Sequence, residues 1–160
     1  MCTPTPTPSP ARQTANKLAA AYNTMDIPTI MSLRTPTCLR TILPASLNMP
    51  PQTPAAFAAS LTALATVFTS FRLDVDDVVE GVGADGAVRI VMYVSAAGET
   101  RVGPYRNQYV WSMGFEEGGE RVSEWSEFVD VGVARDFGPV LRGELERLAR
   151  EGAKGKEEGV

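Results

Sequence analysis

Gly103-Pro-Tyr-Arg-Asn-Gln-Tyr-Val-Trp-Ser-Met-Gly-Phe115, followed by Trp125-Ser-Glu-Phe-Val-Asp130, is the part of this chain whose reading decides the fold. Side chains alternate across a strand with a period of two. The first run therefore sets Tyr105, Asn107, Tyr109, Trp111, Met113 and Phe115 on one face, with Arg106, Gln108, Val110 and Ser112 opposite. The second run groups Trp125, Glu127 and Val129 against Ser126, Phe128 and Asp130. Each strand thus offers an apolar, aromatic face broken by a few polar groups. A sheet that needed only a core has little use for a glutamate between Trp125 and Val129, because an unpaired buried charge is costly. A pocket that moves protons does.

Outward from these strands, the Glu116-Glu-Gly-Gly-Glu120 segment between them reads as a hairpin turn. Val88 to Ser95 is a β-branched, apolar strand, and Ala84-Asp-Gly-Ala87 turns the chain back to an alternating strand over Arg72 to Glu80. Ahead of the strands, three helices are expected. Ser9 caps the first, with Pro10 at its first position; Asp26 caps a short second one, with an early Pro28. The third starts at Thr53-Pro54 and runs through Phe57, Leu61, Leu64 and Phe68 with clear helical spacing. The proline-punctuated segment from Arg34 to Leu47 reads as loop with a short irregular strand.

A last amphipathic helix is expected from about Phe137 to Arg150. Three helices followed by four strands on short turns make an α+β domain, with a curved antiparallel sheet wrapped around a long helix. The expected organisation is a Thr/Pro-rich disordered tail over 1–9, one domain over 10–150 and a disordered tail over 151–160.

Composition narrows the chemistry. At 160 residues, 44% apolar and 21% charged, the chain can bury one core without disulfides. A net charge of -4, with no basic stripe, argues against a nucleic-acid partner. No apolar run approaches the roughly 20 residues of a membrane span. With no signal-peptide pattern and only Cys2 and Cys38, a reduced, cytoplasmic setting is expected. There is no histidine. That removes Ser-His and Cys-His pairs and imidazole-based zinc sites, so proton transfer falls to carboxylate, tyrosine, cysteine, lysine or water. Asp74, Asp76 and Asp77 lack the glycine-bearing calcium loop, and no phosphate loop is present, so neither metal nor cofactor is expected.

The layout from about Ala11 to Val133 resembles the NTF2-like, or SnoaL-like, cone fold. Within it, Ser32-Leu-Arg-Thr-Pro-Thr-Cys38, Leu43-Pro-Ala-Ser-Leu47, Gly103-Pro-Tyr-Arg-Asn-Gln-Tyr109 and Glu127-Phe-Val-Asp130 form a sharper pattern. This pattern is similar to the small fungal SnoaL-like proteins of alkaloid, polyketide and meroterpenoid pathways. Those include cofactor-free isomerases of the brevianamide semipinacolase type and meroterpenoid isomerases. The resemblance implies an arginine, two tyrosines four apart and a later glutamate as the functional groups, matching Arg34, Tyr105, Tyr109 and Glu127. Gln108 stands where related proteins often carry glutamate, on the opposite face by parity. Members of the fold often form homodimers through the convex sheet.

Read locally, several of these positions keep two meanings. Glu127 either enters the pocket, as its parity with Trp125 and Val129 suggests, or pairs with a surface cation such as Arg106. Arg34 either ends a short helix, where a cation is favoured, or enters the cavity and pairs with Glu127; Arg40 is a weaker competitor for that role. Tyr105 and Tyr109 have α-carbons about 13 Å apart along a strand. They are therefore expected to reach the two ends of a ligand rather than one atom, or to be ordinary core. Phe68, Asn107, Trp111, Met113 and Trp125 are expected as the ligand-binding wall, and Cys38 as a small buried apolar residue.

The function that follows is a cofactor-independent isomerase acting on a polycyclic biosynthetic intermediate. A semipinacol-type 1,2-shift on an oxidised indole is the leading reaction. Another acid-base reaction (isomerisation, cyclisation or dehydration of a meroterpenoid or polyketide) and a non-catalytic binding role are the alternatives.

Overall fold

The computed structural model describes residues 7–157, with side chains to residue 154. Most of the tail expected over 1–9, and the last three residues of that expected over 151–160, lie outside the described residues. Three N-terminal helices come first: α1 (Pro10–Asn23), α2 (Ile27–Ser32) and, after a short strand, α3 (Pro54–Val67). Each starts where a side chain accepts a backbone N–H of its first turn. Ser9 accepts from Arg12, Asp26 from Thr29 and Thr53 from Ala56, and a proline follows within the first two positions every time.

The sheet comprises β1 (Arg40–Leu43), β2 (Phe68–Val82), β3 (Val88–Thr100), β4 (Gly103–Phe115) and β5 (Val122–Val129), in the order β1-β5-β4-β3-β2. The α+β class and the curved open sheet match the reading of the sequence. Two details differ. The sheet has a fifth strand, β1, which pairs parallel to β5 and places Ile42 opposite Glu127. Such a four-residue strand between Pro36 and Pro44 has no hairpin to announce it, since parallel pairing joins residues distant in sequence. In addition, β2 begins at Phe68, directly at the end of α3.

The concave face of the sheet packs on α1, whose Ala11, Ala15, Leu18 and Ala19 are buried together with Ile90, Met92, Val94 and Met113. Alanines on this side of α1 let the helix lie close to the strands. Leu18 fills the layer and is fully buried; its truncation to alanine should cost about 2–5 kcal/mol. Polar ties fix the helix at both ends. Thr14 donates to the Gly119 carbonyl at 2.8 Å. Asn23 brackets the Leu73 backbone, donating to its carbonyl at 2.8 Å and accepting its N–H at 2.7 Å. Gly119 itself has a positive φ of 75° and sits so close to α1 that a β-carbon would lie 2.7 Å from the Ala11 nitrogen. The β4–β5 turn therefore needs glycine there twice over.

After β5 the chain forms α4 (Val131–Asp136), capped by Asp130, and then α5 (Gly138–Glu157). α5 continues past Arg150, where the sequence reading placed a disordered tail. Arg147 reaches back to Glu144 at 2.8 Å and forward to Glu151 at 2.5 Å, and such pairs one turn apart support an exposed helix.

Candidate active site

Glu127 is buried, 3% exposed, on the concave face beside Trp125 and Val129. Its partner is Arg40, not Arg34. Arg40 Nε donates to Glu127 Oε1 and Arg40 Nη2 to Oε2, both at 2.8 Å. The Trp125 indole N–H adds a third bond, to Oε1 at 2.7 Å. Burial by itself would push the Glu127 carboxyl up; the adjacent guanidinium, its two hydrogen bonds and the indole outweigh it and hold the group below its ordinary value. Glu127 is thus an ionised carboxylate at neutral pH. Oε1 has two donors and Oε2 has one, so Oε2 retains acceptor capacity. Arg40 is held in turn by Gln52, whose side chain accepts from Nη1 at 2.7 Å and donates to Ser60 at 3.0 Å. One string of polar groups, Glu127–Arg40–Gln52–Ser60, therefore runs from β5 through β1 to α3.

Tyr105 and Tyr109 do not reach opposite ends of the site. Their hydroxyls are hydrogen-bonded to each other, and Asn107 Nδ2 donates to both, at 2.7 Å to Tyr105 and 3.0 Å to Tyr109. The α-carbon spacing misled because strand curvature and two long side chains lean the rings together over the shorter residue between them. Burial pushes both phenols up, Tyr109 the further of the two. Phe68 and Phe137 pack on the Tyr105 ring at centroid distances of 5.3 and 5.6 Å.

Arg34 lies behind the site rather than in its mouth. The chain pairs there with β5 through the Arg34–Val122 bridge. The guanidinium is buried between the rings of Phe57 and Trp125, 4.6 and 4.3 Å from their centroids. Among the described residues none accepts a hydrogen bond from its three nitrogens. It therefore contributes positive charge toward Glu127 without touching it.

One cavity of about 490 Å³ opens here, lined by the concave sheet, α3, Tyr22 of α1 and Leu141 and Leu145 of α5. Of the residues read from the sequence, Tyr105, Tyr109, Glu127, Phe68, Asn107 and Trp111 line it. Arg34, Met113 and Trp125 do not. Met113 is fully buried core, and Trp125 stands behind Glu127 as its donor. The sequence reading missed Tyr22, Gln52, Ser60 and the α5 leucines as lining, and ranked Arg40 too low. Arg40 and Ile42 share one parity within Arg-Thr-Ile-Leu, a faint strand signal that pointed both inward. Among the described residues no group of three or more metal-ligating acids or thiols occurs, and Cys38 is buried.

No family model matches the sequence. Among curated proteins, the austinoid biosynthesis clusters protein S of Emericella nidulans is 30% identical over 124 residues, covering 78% of this chain and 88% of its own. The monooxygenase nsrQ of Aspergillus novofumigatus is 32% identical over 104 residues, covering 65% and 67%. Among solved structures, AusH from Aspergillus nidulans aligns with a TM-score of 0.69 at 26% identity, over 79% of this chain and 88% of its own. The BvnE pinacolase from Penicillium brevicompactum aligns with a TM-score of 0.72 at 22% identity, over 88% and 96%. Sequence and fold agree: the chain belongs to the SnoaL-like, NTF2-like family of small fungal biosynthetic proteins.

Proposed function

We propose that this protein is a cofactor-independent biosynthetic isomerase that rearranges a polycyclic, mostly apolar intermediate by acid-base catalysis, in a semipinacol-type 1,2-shift. The observation that carries this reading is the pairing of an ionised carboxylate, Glu127, with two phenols inside one apolar cavity. A 1,2-shift of a hydroxy-imine needs both. As the migrating carbon leaves with its bonding electrons, the hydroxyl-bearing carbon becomes a ketone and its proton goes to a base, Glu127 Oε2. The imine nitrogen gains an electron pair and takes a proton from a phenol. Positive charge from Arg40 reaches the phenols that serve the electron-rich end, Arg34 adds charge beside Glu127, and the walls hold one conformer.

The lowered pKa of Glu127 makes its carboxylate a weak base, so the hydroxyl proton moves late, as the ketone forms. The BvnE structure bears the name pinacolase, which supports the reaction type through its fold. Purified protein given a 3-hydroxyindolenine should yield the rearranged ketone as one stereoisomer without added metal or nucleotide. Unchanged substrate, or the same isomer mixture as in buffer alone, would count against it.

One observation favours a second reading. The 30%-identical relative carries the name of austinoid biosynthesis, not of an indole pathway. On that reading the same carboxylate and phenols isomerise or cyclise a meroterpenoid- or polyketide-type ketone. A panel of cyclic enones beside the hydroxyindolenine separates the two.

A further inference from the structure

Asn107 sits between the two phenols, and its hydrogen bonds restrict what they can do. Its Oδ1 accepts the Gln108 backbone N–H at 2.8 Å, which fixes the amide so that Nδ2 faces the hydroxyls. Nδ2 has two hydrogens and spends one on each phenolic oxygen, at 2.7 and 3.0 Å. The phenols own two O–H groups between them. One is consumed in the Tyr105–Tyr109 bond, whichever way it runs. Among the described residues no acceptor is bonded to the other.

We infer that Asn107 is a positioning residue that turns Tyr105 and Tyr109 into a single-proton device, with one O–H left to donate to a carbonyl or imine acceptor in the cavity. The amide does this in two ways. It supplies a donor to each oxygen, so neither phenol is free to collect a proton from the protein. It also stabilises negative charge on whichever phenol gives up its proton, which offsets part of the cost that burial imposes on the Tyr105 phenolate. The other titratable or charged groups lining the cavity are Tyr22 on α1, Arg40 on β1, Glu127 on β5 and Arg142 on α5. None of them is hydrogen-bonded to either phenol. The chemical use of this device rests on the acid-base reading above, but its existence is a property of the protein alone.

The test uses full-length protein labelled at the tyrosine ring carbon that bears oxygen, with each signal assigned from its Tyr→Phe variant. In the ligand-free protein, Asn107→Leu should raise the first ionisation of the coupled phenol pair by about one unit, since whichever oxygen carries the charge loses its amide donor. Unchanged ionisation would overturn the inference. A second readout is the infrared carbonyl stretch of bound 9-fluorenone, a flat apolar ketone. In the wild-type protein the spare O–H should lower that stretch. In Asn107→Asp, at mildly alkaline pH, the isosteric carboxylate captures the O–H and the shift should vanish. Fluorenone that fails to enter the wild-type cavity, or gives the same stretch in both proteins, overturns the donor. Failure of turnover with intact titration and infrared results would sink the proposed reaction and leave the device standing.

Discussion

Arg40 and Glu127 form a two-pronged ion pair across the only parallel ladder described in the sheet, with both bonds at 2.8 Å and the carboxylate side chain 4% exposed. Removing one partner of such a pair leaves the other buried and uncompensated. Arg40→Met alone should cost about 3–5 kcal/mol of stability. Arg40→Met combined with Glu127→Gln should recover part of that loss, since neither member of the pair is then an unpaired charge, although Arg34 loses its nearby carboxylate. Urea unfolding at neutral pH measures both. An Arg40→Met protein as stable as the wild type would mean that the pair is open to solvent.

The pair also fixes how stability depends on pH. Glu127 is held below its ordinary value of 4.5 in the folded protein, so it binds protons less readily there than in the unfolded chain. Its contribution is complete above about 4.5 and is lost as pH falls through the lower, folded value. The stability gap between wild type and Glu127→Gln should therefore hold steady from neutral pH to that point and then shrink. A gap that widens on acidification would show that burial has won over Arg40.

Arg34 tests charge against packing. Its guanidinium contacts two aromatic faces and donates no hydrogen bond to any described residue. Arg34→Met keeps the length and apolar contact, so it should leave stability near or above the wild-type value. Arg34→Ala should lose about 2–4 kcal/mol through the space left between the rings. If the charge serves the reaction, both variants should lose turnover alike. Activity that follows stability instead would reduce Arg34 to a packing residue.

What could be read in the sequence follows from the range of the interactions. Helix caps and strand parity are local, and the caps at Ser9, Asp26 and Thr53 and the inward face of Glu127 were legible in residues a few positions apart. The partner of Glu127 was not, because Arg40 lies 87 positions away on a short strand whose ladder partner is β5. Tyr105 and Tyr109 were found as residues but misjudged as a pair. Backbone spacing measures where side chains start, and curvature decides where their tips meet. The role of α5 was missed because amphipathicity reveals an apolar face without saying what it covers.

That face lines the cavity through Leu141 and Leu145. Both are apolar wall residues with no proton to give or take, so Leu141→Ala with Leu145→Ala should weaken ground-state binding more than chemistry. A rise in KM of about tenfold, with kcat within about threefold, is expected from steady-state kinetics. A fall in kcat at constant KM would instead place α5 in the control of conformation or water.

Replacement of Glu127 by glutamine, with rate and product stereochemistry read in one assay, tests the central claim most directly. The substitution keeps the volume and one acceptor for Arg40 and Trp125, and removes the base. Turnover of the hydroxyindolenine, or of whichever enone the wild type accepts, should fall by about 10² to 10⁴. Any residual product should drift toward the isomer mixture formed in buffer, because a spontaneous rearrangement can supply the same atoms without the same handedness. A Glu127→Gln protein with wild-type rate and wild-type selectivity would contradict the account and leave the cavity as a binding site.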